Sequence, residues 1–301
     1  MKSILKTGLL LAATLLSQSA LAKINVFACE PEWAALAHEL GGEAVKVTTA
    51  THGLQDPHRI QARPSLIARI RRADLLVCTG AELEIGWLPV LLRKSGNAAI
   101  QPGEPGHFLA ADTVELLDAP DTLDRSEGDI HAEGNPHIQT DPRRIAEVAE
   151  ALSKRLEQID PAHAGDYANR YRDFSKRWQA AIARWEKQAD PIRGKAIVVQ
   201  HKNWTYLEDW LGLKEIATLE PKPGVPPTAS HLARVLDAVK GRDALAIIRA
   251  AYQSPKASNW LSQRSGIPAV ELPFTVGGAP EVKTLFDLFD LTLARLIGAG
   301  Q

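Results

Sequence analysis

The chain lacks most of what would mark an enzyme of a common class. No H-E-x-x-H pair and no G-x-S-x-G elbow occur, so the usual zinc-protease and serine-hydrolase constellations are excluded. Gly277-Gly278 stands alone, without the glycine-rich spacing that cradles a phosphate. Neither sign of charge is in excess: 35 Lys and Arg against 36 Asp and Glu argue against nucleic acid or a membrane surface as the main partner. The apolar run from Gly8 to Leu16 is too short to cross a bilayer. No repeat of fixed short period is present. Cysteine is scarce, with two residues, Cys29 and Cys78, in 301.

What is present begins at the N-terminus. Lys2 and Lys6 precede the short apolar run, and Ser19-Ala20-Leu21-Ala22 follows it. This is the pattern of a secretory signal peptide cut after Ala22. No cysteine stands at the cut, so a lipid-anchored product is not indicated, and the expected destination in a bacterium is the periplasm. That compartment is oxidising, which suits a cysteine pair. Cys29 and Cys78 each close a strand-like run, Ile24 to Ala28 and Asp74 to Val77. Neighbouring parallel strands would put both thiols at one sheet edge as a disulfide; buried free thiols are the alternative.

Strand and helix patterns then alternate. A helix is predicted around Pro31–Leu40, a strand over Val45–Thr51, a helix over Ser65–Arg72 capped by Ser65, and a strand over Asp74–Cys78. A helical segment from Glu84 through Leu92, bent or restarted at Pro89, and short strands around Ala99–Gln101 and Val114–Leu117 follow. From 118 to 134 the pattern gives way to an acidic loop, with His131 near its end. A solvated connection and a weak cation-collecting flap are both open readings of it. Ile145, Val148, Ala149, Leu152 and Leu156 then mark an amphipathic helix. Asp160-Pro161 starts a second one, carrying Tyr167, Tyr171, Phe174, Trp178, Ile182 and Trp185 and ending at Asp190-Pro191, about 42 Å long at 1.5 Å per residue. Its aromatic stripe reads as packing. Strand–helix alternation resumes from Lys195–Gln200 to a closing helix over Leu285–Leu296. The fold class is therefore α/β: two parallel-sheet lobes, 23–160 and 190–301, joined by one long rigid helix, 161–189, with a cleft between them.

Three histidines share a setting. Asp56-Pro57-His58 and Asn135-Pro136-His137 each present an imidazole after a proline, which cannot continue a helix. His201 ends the apolar run Ala196 to Gln200. Asp141-Pro142 directly after His137 reads as a helix start, with an N-cap carboxylate and proline at the first position. In open parallel sheets ligands bind beyond the carboxyl ends of the strands. The cleft is where His58, His137 and His201 could converge on one ion, and three neutral imidazoles suit tetrahedral Zn²⁺ with a fourth position to fill.

These residues, the signal peptide and the tail Leu285-Phe286-Asp287-Leu288-Phe289-Asp290 together resemble the zinc- and manganese-type, ZnuA-like solute-binding proteins of bacterial ABC importers. The likeness covers essentially the whole mature chain. It implies a periplasmic, non-enzymatic receptor with two α/β lobes and a bridging helix, which holds a metal ion and hands it to a membrane permease. It also places His58, His137 and His201 on the metal-ligand positions. Histidine at the third place, where manganese-type members tend to carry a carboxylate, implies Zn²⁺ ahead of Mn²⁺. The family's fourth ligand is usually a carboxylate before the closing Leu-Phe pair, where this chain has Thr284. Asp287, a water molecule or a residue of the acidic loop are the other candidates. The family's histidine-rich flap is reduced here to His131 among acids. A monomer, loaded by a periplasmic metallochaperone or directly, is expected. The rival readings are a zinc-dependent hydrolase using the three histidines, with a bound water lowered to a pKa of about 7, and a metal-free adhesin.

Overall fold

The computed structural model describes residues 22–120, 128–129 and 131–300. Apart from Ala22, the expected signal peptide lies outside the described residues, as does part of the acidic loop. No helix among the described residues is long and apolar enough to cross a membrane.

Two four-stranded parallel sheets organise the chain. The first contains β1 (Ile24–Ala28), β2 (Val45–Thr49), β3 (Leu75–Cys78) and β4 (His107–Leu109) in the order β2-β1-β3-β4. The second repeats that order with β5 (Ala196–Val199), β6 (Lys214–Thr218), β7 (Ala244–Ala250) and β8 (Ala269–Leu272), as β6-β5-β7-β8. The central strands read as unbroken apolar runs because helices cover both faces: all four residues of β3 are buried. Parallel pairing requires crossovers, supplied by α1 (Pro31–Gly41), α2 (Pro64–Ile70) and α3 (Leu88–Ser95) in the first lobe. In the second they are α6 (Thr205–Leu211), α7 (Ala229–Val239) and α8 (Lys256–Ser265), and α9 (Leu285–Ala299) closes the chain.

Between the sheets run α4 (Pro142–Ile159) and α5 (Ala164–Ala189). Asp141 caps α4, its side chain accepting from the Arg143 backbone N–H, and the Ile145, Val148, Ala149, Leu152 and Leu156 stripe is fully buried. The strut, α5, has 26 residues flanked by short 3-10 turns. Trp178 donates its indole N–H to Pro142 O at 2.8 Å and meets the rings of Phe286 and Phe289 on α9. Trp185 donates to Asp290 Oδ1 at 2.6 Å. One helix thus binds elements of both lobes, and the aromatic stripe is packing.

Cys29 follows β1, and Cys78 ends β3. The β1–β3 register pairs Ala28 with Val77, so the cysteines fall side by side and form a disulfide, Cα to Cα 4.7 Å.

Several local expectations are corrected. The predicted helix from Glu84 is irregular to Trp87, with Ala81 and Glu82 in the left-handed region; Pro89 starts α3 instead of bending it. Pro64 likewise begins α2, so Arg63, not Ser65, is its N-cap. Ala98–Ile100 is a 3-10 turn, because the Asn97 side chain accepts from the Ala99 N–H and draws the backbone round. Val114–Leu117 is not a strand; the sheet edge is β4.

The lobes also touch directly. A Cβ on Gly53 would lie 2.2 Å from the Gly277 carbonyl carbon, so only glycine lets the His58 loop meet the Gly277-Gly278 turn.

Candidate metal centre

Each of the three histidines is held by its own loop. Asp56 Oδ1 accepts from both the backbone N–H of His58, at 3.1 Å, and its ring Nδ1, at 2.9 Å. Trp87 donates its indole N–H to Pro57 O at 2.9 Å and pins the same turn. Asn135 Oδ1 accepts from the His137 N–H at 3.0 Å, while Asn135 Nδ2 donates to Lys202 O across the cleft at 2.9 Å. His137 rests edge-on against Phe274 and is 1% exposed. His201 lies beyond β5 and bonds through Nδ1 to Glu220 Oε2 at 2.7 Å. Glu220 reaches it because Val199 pairs with Thr218, which places residues 201 and 220 abreast just past the strand ends.

The structure brings His58, His137 and His201 together. Their ring centroids lie 5.2 to 6.0 Å apart, and one ligand-capable atom from each falls within 4.8 Å of the others. The hydrogen bonds set the tautomers. An ionised carboxylate only accepts, so Nδ1 of His58 and of His201 must carry the proton, leaving both Nε2 lone pairs free. Asp56 suits that role: burial would raise its pKa, but its hydrogen bonds with His58 and the charge on that ring hold it below the usual carboxylate range. Burial, reinforced by the neighbouring His58, His201 and His131, drives the His137 pKa well below normal, so that ring is neutral. Neutral imidazoles converging in a cleft bind soft or borderline divalent cations.

Three features were missed from sequence. Ring Nδ1 atoms are held by carboxylates, Asp56 and Glu220, where backbone carbonyls were expected. His131 stands at the cluster, its Nε2 3.3 Å from His58 Nε2. Thr284 and Asp287, the suggested fourth ligands, are occupied elsewhere: they form a capping box at the start of α9, each accepting from the other's backbone N–H. Beside the histidines opens a cavity of about 520 Å³, lined by Asp118, Asp129, His131, His137, His201 and Lys202 among others.

Two parallel α/β lobes on a helical strut, with clustered imidazoles in the cleft, are the architecture of a two-lobed solute-binding protein carrying a metal-type donor set. A model of the family described as "ZnuA: Zinc-uptake complex component A periplasmic" matches residues 26–299, and the chain belongs to that family. It is 24% identical over 204 residues to the high-affinity zinc uptake system protein ZnuA of Yersinia pestis, covering 60% of each chain. To the zinc-binding lipoprotein AdcA of Streptococcus pneumoniae serotype 4 it is 23% identical over 240 residues, 76% of this chain but 45% of that one, so it spans under half of that relative. Among solved structures, a crystal structure of ZnuA superposes with TM-score 0.76 at 19% identity, covering 93% of this chain and 100% of that one. A Mn-bound periplasmic metal binding protein from Candidatus Liberibacter asiaticus gives TM-score 0.74 at 18% identity, covering 93% and 100%. At such identities the structural likeness establishes the fold alone.

Proposed function

We propose that this chain is a periplasmic receptor for Zn²⁺, without enzymatic activity, which delivers the ion to the permease of an ABC importer. The ligands are His58 and His137 from the first lobe, residues 23–160, and His201 from the second, residues 190–301, with 161–189 as the strut. The observation that carries the reading is the convergence of three imidazoles from separate loops, two of them held by carboxylates with Nε2 toward the cleft. Outer-shell carboxylates of this kind orient metal-binding histidines and raise their basicity. Nitrogen donors favour Zn²⁺ over the harder Mn²⁺. Zinc named in several relatives supports the same choice, although one structural neighbour is titled as Mn-bound. The receptor acts as a monomer, and a periplasmic metallochaperone is one route of loading. The carboxylates beside the rings are engaged by Nδ1, so no free general base flanks the cluster among the described residues, which disfavours the hydrolase reading.

The test is elemental analysis with competition titration on the mature protein. One Zn²⁺ per chain is expected, and His137→Ala should weaken its binding by several orders of magnitude. Absence of stoichiometric zinc, or an unchanged Kd in that variant, would overturn the reading.

A further inference from the structure

We propose that His131 supplies the fourth ligand, so that the shell is four imidazoles and the acidic loop contributes to metal choice. The inference rests on the receptor reading above. Four nitrogens placed tetrahedrally at zinc–nitrogen bonds of 2.0–2.1 Å stand about 3.3–3.4 Å apart. His58 Nε2 and His131 Nε2 are already 3.3 Å apart, the edge of that tetrahedron. The His131 ring centroid is 5.3 Å from that of His58 and 6.3 Å from that of His137, close to the spacings within the three-histidine cluster. Since Asp56 takes the Nδ1 proton of His58, the His58 atom facing His131 is a lone pair.

The loop is fastened so as to hold this ring over the cleft. Glu82 Oε2 accepts from the Ala132 N–H at 2.9 Å, one residue after His131, from the first lobe. Glu82 does so from a backbone φ of 63°, a conformation uncommon for a residue with a side chain. From the second lobe, Pro223 O accepts from the Asp129 N–H at 3.0 Å. Arg59, next to His58, donates to Gly224 O at 3.1 Å and lies 3.9 Å from Asp129. His131 is thereby anchored from both sides. Where Thr284 and Asp287 cap a helix, His131 takes the place they leave. The consequence is chemical: an all-nitrogen shell discriminates against Mn²⁺ more strongly than three nitrogens and one oxygen.

The experiment compares full-length mature wild type, His131→Ala, His131→Gln and, as a control, His38→Ala on the exposed side of α1. X-ray absorption of the zinc-loaded proteins counts imidazoles, the visible spectrum of Co²⁺-loaded proteins reports tetrahedral geometry, and competition titration gives Zn²⁺ and Mn²⁺ affinities. Wild type and His38→Ala should show four imidazoles. Both His131 variants should show three imidazoles and an oxygen, a changed cobalt spectrum, a zinc Kd weaker by at least about 100-fold, the upper end for losing an outer-shell partner, and a smaller zinc-to-manganese preference. If the His131 variants match wild type in imidazole count and spectrum while His137→Ala loses metal, the fourth-ligand inference is wrong and the receptor reading stands. If wild type takes up no stoichiometric zinc, both fall.

Discussion

Glu32, in the first turn of α1, is 1% exposed, and the Thr275 hydroxyl beyond β8 in the second lobe donates to its carboxylate. Burial raises its pKa to about 7 against the opposing effect of the Thr275 hydrogen bond, with the Glu84 charge adding to the rise. Glu84 is likewise pushed up to about 7 by burial, and Glu30 beside them higher still. The unfolded chain releases the Glu32 proton near pH 4.5, whereas the folded chain keeps it until about pH 7. Between those values the folded state binds more protons, so stability falls as pH rises and levels off above 7. A displacement of roughly 2.5 pH units at 1.36 kcal/mol each amounts to about 3 kcal/mol. Glu32→Gln keeps an acceptor for Thr275 and never ionises. It should therefore unfold in urea much as wild type does at pH 5, and be about 3 kcal/mol more stable than wild type at pH 8. The assay is urea denaturation of metal-free protein with the disulfide intact, monitored by tryptophan fluorescence at both pH values. An identical difference between variant and wild type at pH 5 and pH 8 would refute the reasoning.

Glu220→Ala removes the acceptor for His201 Nδ1 and should weaken zinc binding by about 10–100-fold, as loss of an outer-shell carboxylate does; competition titration would read it, and an unchanged Kd would show that Glu220 does not orient the ring. Trp178→Ala empties the site where α4, α5 and α9 meet and should cost about 3–5 kcal/mol in urea denaturation. A loss below about 1 kcal/mol would mean that the strut is not held by this packing.

Much of this architecture was legible because its signals are long or rigid. The buried central strands β1, β3, β5 and β7 announce themselves as apolar runs, and α4 and α5 repeat their apolar residues over several turns. Asp56-Pro57-His58 and Asn135-Pro136-His137 betray presented histidines because proline confines the backbone on both sides of the peptide. What escaped is short or nonlocal. β4 has three residues, only Phe108 of which is buried, too few for any period to show. Glu220 stands beside His201 only through the β5–β6 register, which sequence spacing does not reveal. His131 is set in place by Glu82 and Pro223, far from it in the chain, and the surrounding acids read simply as a solvated loop. Thr284 aligns with a family carboxylate, yet its local pattern, a threonine three residues ahead of Asp287, is that of a helix cap.

The central claim is that imidazoles from both lobes meet on one ion. Anomalous diffraction at the zinc edge from crystals of the zinc-loaded protein addresses it directly. One stoichiometric peak is expected about 2.0–2.1 Å from nitrogens of His58, His137 and His201 together. A peak bound by other residues, or by the histidines of a single lobe, would contradict the account.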